Sequence, residues 1–183
     1  MLILNTGGTF NKRYNPLAGE LFVPRDNEAI EKIMASLVVD IEVQGIIYKD
    51  SLEINDADRS LLADTIAKSD EKVIIIVHGT DTMDVSAEVI AQLAIQKTVV
   101  FTGAMVPFSM DPIEATANLA MAIGFAQRSC SGVYIVMQGI CGQYNYVRKN
   151  RVIENISQKY NLTNIKIVFV LFLCKIKTKQ NQF

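Results

Sequence analysis

A threonine, an aspartate and a second threonine follow the chain's single histidine in the run His78-Gly79-Thr80-Asp81-Thr82-Met83. A hydroxyl beside a carboxylate can bind a small polar ligand, but only if something fixes both groups in place. The preceding residues do so: Val73 to Val77 are five consecutive β-branched apolar residues, which predicts a strand buried on both faces, as in a parallel sheet covered by helices. Gly79 breaks that strand, and Val85, Val89, Ile90 and Leu93 predict the apolar side of the helix that follows. In open α/β sheets ligands bind outside the carboxyl ends of the strands, which makes Thr80 and Asp81 candidate site residues. The alternative is that they only cap the helix, as such residues often do. His78, next to an apolar strand, reads as a hydrogen-bonded structural residue rather than a general base.

A second stretch is built the same way. Leu2 to Leu4 is an apolar run that ends in Asn5, Thr6, Gly7, Gly8 and Thr9. Paired glycines let the backbone turn tightly and approach a ligand closely. The stretch carries neither a P-loop nor a GxGxxG fingerprint, so no nucleotide cofactor is expected. Residues 10–24 are polar and read as a long loop or hairpin of the kind that serves as a lid or binding loop.

Between and after these stretches, strands and helices alternate. Ile30, Ile33, Met34 and Leu37 repeat at helical spacing behind Asp26. Residues 38–48 predict a strand that ends in Lys49, Asp50 and Ser51. A helix is expected over about 55–68 with Leu61, Leu62, Thr65 and Ile66 inward. Residues 98–101 form another strand, ending in Thr102, Gly103, Ala104 and Met105. Asp111 and Glu114 have capping-box spacing ahead of a helix that continues to about Arg128. Residues 132–137 form a further strand, followed by Gln138, Gly139 and Gly142. This order predicts an α/β fold: a three-layer, doubly wound, mostly parallel sheet with right-handed crossovers and one ligand edge.

Composition sets the outer bounds. With 183 residues, 50% of them hydrophobic, the chain suffices for one well-packed domain. A formal net charge of −1 gives no electrostatic reason to expect nucleic acid or an anionic membrane as a partner. Three cysteines without a CxxC, and one histidine, predict no metal site and reduced thiols. The chain opens in a strand-like MLILNT with no basic, apolar leader, so a cytoplasmic location is expected. The apolar run at residues 165–173 is followed by Lys175, Lys177 and Lys179. It is too short to span a bilayer, which needs about twenty helical residues, and is expected to be a last strand or appendage, with disorder beyond Cys174.

TGGTF at 6–10, HGTDTM at 78–83 and TGAMVP at 102–107, each at a strand end, together resemble the bacterial-type L-asparaginase family. The resemblance covers residues 2–150 in matching order. It implies a flavodoxin-like N-terminal domain, placed here at 1–155 with a divergent tail at 156–183, and hydrolysis of L-asparagine through a threonine acyl-enzyme. Carried over by motif, Thr9 is the nucleophile, and Tyr14 in the following loop activates it. Ser51 holds the substrate's α-carboxylate. Thr80 is the second threonine, Asp81 binds the substrate's amino group, and Gly8 and Gly79 border the substrate. Counting back along MQGICGQYNYVRK places Lys149 on the family's active-site lysine, although Arg148, Lys149 and Arg151 also read as a solvated basic turn. These types suit the chemistry. A threonine hydroxyl needs a positioned base, Lys149 could accept a proton through Thr80 only if burial lowers its pKa, and backbone N–H groups of the glycine turns and near Thr80 could form an oxyanion hole.

The resemblance further implies a homo-oligomer that uses L-asparagine, and L-glutamine as a second substrate, without a metal or other cofactor. Two departures stand out. Val106 replaces an arginine, and the family's second domain, which completes sites across subunits, has no room in 183 residues. An inactive amino-acid-binding or partner-binding domain is therefore the competing expectation.

Overall fold

The structure is a computed structural model, and it describes residues 1–150 and 155–158. The apolar run at 165–173 and the tail expected beyond Cys174 lie outside the described residues. A six-stranded sheet organises the rest. Its parallel strands are β1 (Leu2–Gly7), β4 (Glu42–Lys49), β5 (Val73–Val77), β6 (Thr98–Thr102) and β7 (Gly132–Met137). A short hairpin, β2 (Arg13–Asn15) with β3 (Glu20–Phe22), leaves the sheet after β1, so the polar stretch at 10–24 is a hairpin. One edge is closed by the antiparallel β8 (Ile140–Gln143), and β9 (Val147–Asn150) pairs with β10 (Asn155–Gln158) beside it.

The side-chain alternation of a strand decides the layers. Leu2, Leu4, Ile74, Ile76, Val99 and Phe101 point to one face and pack with Leu62, Ile66, Ala87 and Ile90. These come from α2 (Asp56–Lys68) and α3 (Met83–Gln92). Ile3, Ile75, Val77, Val100 and Val136 point to the other face, against Ile30, Ile33, Leu119 and Ile123 of α1 (Glu28–Met34) and α4 (Pro112–Ala126). Both faces are covered, which is why Val73 to Val77 show no polar alternation. The fold is thus the expected three-layer, doubly wound α/β architecture with a mostly parallel sheet.

The sheet order is β4-β1-β5-β6-β7-β8. Counting only the parallel strands in chain order, this is the second, first, third, fourth and fifth, the flavodoxin-like arrangement. The order reverses between β1 and β5, and the crevice at their carboxyl ends is the switch point where such sheets bind ligands.

Three local expectations are corrected. In α3 the buried face is Met83, Ser86, Ala87 and Ile90, while Val85 and Leu93 are exposed; the small Ser86 and Ala87 lie on the same side as Met83 and Ile90. In α2 the inward residues are Leu62, Ala63 and Ile66, with Leu61 exposed. Cys141 is a free thiol, whereas Cys130 is disulfide-bonded rather than reduced. No helix among the described residues is long and apolar enough to cross a membrane.

Candidate active site

The turn after β1 is held from two sides. Gly7 and Gly8 have φ of 93° and 75°, conformations that a side chain disfavours, and the 3-10 turn Thr9–Asn11 follows directly. The Gly8 N–H donates to the Lys49 carbonyl at 2.8 Å, which ties the turn to the end of β4. From the other side, the buried Asn5 Oδ1 accepts from the Gly7 N–H at 2.8 Å and from Asn11 Nδ2 at 2.9 Å. Asn5 was legible only as the polar end of an apolar run; its buried position makes it the clamp of this turn.

The turns after β4 and β5 are joined to each other. Ser51 is buried, and its Oγ accepts the Asp81 N–H at 3.3 Å, while Thr82 Oγ1 donates to the Ser51 carbonyl at 2.7 Å. A Cβ on Gly79 would lie 2.6 Å from Ser51 Cβ, and one on Gly8 would lie 2.4 Å from the backbone of Gly79. Gly8, Gly79 and Ser51 therefore touch, and Thr9, Ser51, Thr80 and Asp81 share the carboxyl edge of one sheet at its switch point.

Asp81 does not cap α3. The N-cap position is Thr82, without a side-chain cap bond, and Lys149 Nζ on β9 donates to Asp81 Oδ1 at 2.9 Å. The Lys149 side chain is 16% exposed, so the reading of 148–151 as a solvated basic turn holds for Arg148, 53% exposed, and not for Lys149. Thr80 is buried and lines a small cleft together with Lys149, Met83 and Val147. Tyr14 is placed differently. It sits on β2, 58% exposed, and among the described residues no hydrogen bond joins it to Thr9.

Asp50, just before Ser51, accepts the Leu52 N–H at 3.0 Å through Oδ1 and pairs with Lys12 Nζ at 2.5 Å through Oδ2. Burial pushes its carboxyl up, but the hydrogen bond from Lys12, the Leu52 N–H, and the charges of Lys12 and Lys149 together hold it below the ordinary range. Glu114 also departs from expectation. Instead of closing a capping box, its Oε2 accepts the N–H groups of Met105 and Val106, each at 3.0 Å, and so fixes the loop after β6. Asp111 alone caps α4, through the Ile113 N–H.

His78 is buried. Its Nδ1 bonds the Gly79 carbonyl at 2.7 Å and its ring packs edge-on to Phe101. Burial lowers its pKa from 6.5 to about 4, so it is a neutral structural residue. An unfolded chain binds this proton from about pH 6.5 downward, whereas the folded one resists until about pH 4. Stability is thus full above the first value and falls through this window, by about 3 kcal/mol at the acid end. Urea unfolding across this pH range should show the loss in wild type and a flatter slope in His78→Gln. An equal slope in both would contradict a buried neutral imidazole.

Among the described residues, no group of His, Cys, Asp and Glu is arranged to hold a metal ion. The carboxyl edge presents the hydroxyls of Thr9, Ser51 and Thr80 beside two ion pairs, Lys149 with Asp81 and Lys12 with Asp50.

A profile of the family described as "Asparaginase, N-terminal" matches residues 1–156, and the chain belongs to this family. It is 26% identical over 140 residues to an L-asparaginase from Thermococcus kodakarensis, covering 74% of this chain and 43% of that protein. A match of 26% over 146 residues to a glutamyl-tRNA(Gln) amidotransferase subunit from Methanococcus maripaludis covers 76% of this chain and 35% of that one. The solved structure of the Thermococcus kodakarensis enzyme superposes with a TM-score of 0.76 at 24% identity, over 87% of this chain and 51% of the other. L-asparaginase I from Vibrio cholerae gives 0.73 at 24% identity, with the same coverage. These two likenesses show the fold. The chain spans between about a third and a half of the length of these relatives.

Proposed function

We propose that this domain hydrolyses the side-chain amide of L-asparagine to L-aspartate and ammonia, with L-glutamine as a second substrate, in the cytoplasm and as a homo-oligomer. In this reading the Thr9 hydroxyl attacks the amide carbon and gives up its proton to a base. The carbon–nitrogen bond breaks, the nitrogen leaves as ammonia, and water then cleaves the aspartyl ester and restores Thr9. Ser51 Oγ already accepts the Asp81 N–H, so its own proton remains for the substrate's α-carboxylate. Asp81 takes the substrate ammonium beside Lys149. The Gly8 N–H is committed to Lys49, which leaves the N–H groups of Thr9 and Thr80 for the developing oxyanion.

The observation that carries this reading is the bonded set Ser51, Asp81 and Lys149 beside Thr9 and Thr80 at the switch point. A ligand that binds only the folded state stabilises it by about 2.7 kcal/mol at a hundred times its Kd. L-Aspartate should therefore raise the melting temperature of the wild type by several degrees, and Asp81→Ala should abolish the shift. A shift of equal size in the variant would remove Asp81 from the ligand site. A second reading, amino-acid binding without turnover, draws on Tyr14, which lies exposed on the hairpin and away from a bond to the nucleophile. Under it the L-aspartate shift persists while no ammonia appears.

A further inference from the structure

We infer that Lys12 is a positioning residue of this site, neutralising Asp50 so that a substrate α-carboxylate can be held at Ser51. The inference rests on the proposed reaction. Its starting point is a conflict in the sequence of the turn after β4. Ser51 is meant to receive an anion, yet the residue before it is an aspartate. An uncompensated like charge on the adjacent residue opposes binding of an anion. Lys12 Nζ meets Asp50 Oδ2 at 2.5 Å, with the two side chains only 21% and 27% exposed, so solvent screens the pair less than at an open surface.

Lys12 is well placed for this role because its own backbone is fixed. It is the C-cap of the 3-10 turn that begins at Thr9, with its N–H bonded to the Thr9 carbonyl at 3.1 Å. Its carbonyl accepts Ser109 Oγ at 2.7 Å. Both Asp50 oxygens are engaged, one by Leu52 and one by Lys12. Lys149, on Asp81 at 2.9 Å, also lowers the pKa of Asp50 through its charge. Lys12, Asp50, Lys149 and Asp81 thus alternate in sign across the carboxyl edge. The same pair links the turn of Thr9 to the turn of Ser51, so nucleophile and carboxylate site are set relative to one another.

Steady-state kinetics and calorimetry with L-aspartate test this in Lys12→Met, Lys12→Arg and the double variant Lys12→Met with Asp50→Asn. Asparagine preserves the cap on Leu52. Lys12→Met should raise KM for L-asparagine and the Kd for L-aspartate about tenfold with kcat little changed. Lys12→Arg should stay near wild type, and the double variant should regain most of the lost affinity. For the neutral α-carboxamide of L-asparagine, Lys12→Met should leave binding unchanged. Unchanged KM and Kd in Lys12→Met, or a fall in kcat that the double variant does not recover, would overturn the inference. Wild-type protein that neither binds L-aspartate nor releases ammonia would instead overturn the proposed reaction, and this inference with it.

Discussion

Thr9→Ala should abolish ammonia release from L-asparagine, by about 10⁴-fold or more, because removing a covalent nucleophile eliminates the pathway rather than slowing it. The variant should fold normally. Thr9 is only partly buried at the start of the 3-10 turn, and among the described residues its hydroxyl has no hydrogen-bond partner whose loss would matter. Removing such a group changes stability by about 0.5 kcal/mol at most. The expected result is therefore an intact melting temperature with no turnover, and an L-aspartate shift close to that of wild type. Thr9→Ser, which keeps the hydroxyl, should recover measurable rate. Ammonia release in Thr9→Ala at the wild-type rate would assign the nucleophile elsewhere.

Gly8→Ala should be the most damaging small substitution at the site. The new methyl would sit 2.4 Å from both Cα and N of Gly79, backbone atoms that cannot swing aside as a side-chain tip can. Gly8 also has φ of 75° and ψ of −174°, a region open essentially to glycine alone. Strain and overpacking together should cost about 3 to 5 kcal/mol, a large part of the stability of a domain this size. Gly124→Ala is the contrast. In α4 the added methyl meets nothing within 4 Å, and replacing a helical glycine should stabilise by about 0.5 to 1 kcal/mol. Urea unfolding of both variants checks the pair; equal effects would mean that the β1 turn is not packed against the β5 turn.

The sheet was legible because burial on both faces leaves its mark in sequence as uninterrupted Val and Ile, and the common edge of the candidate residues because their motifs stand at strand ends. Strand β8 was not legible. It is short, contains Gly142, and follows a two-residue turn whose first position is Gln138 at φ 52° rather than the Asn or Asp that usually marks such a turn. The faces of α2 and α3 differ from the apolar pattern because Ala63, Ser86 and Ala87 share the sheet-facing side with Leu62, Ile66, Met83 and Ile90, leaving Leu61, Val85 and Leu93 outside. That Asp81 is not the cap of α3 could not be read locally. Its partner, Lys149, is 68 positions away, a separation that only the chain's path over the sheet can close. The pairing of Lys12 with Asp50 was hidden for the same reason.

In the proposed reaction Thr9, at the switch point of the sheet, attacks an amide and carries its acyl group. Peptide mass mapping after acid quench of the protein in the presence of L-asparagine tests it directly. An aspartyl ester is expected on the peptide that contains Thr9, absent from Thr9→Ala. An aspartyl adduct on any other residue, or sustained ammonia release with the Thr9 peptide unmodified, would contradict it.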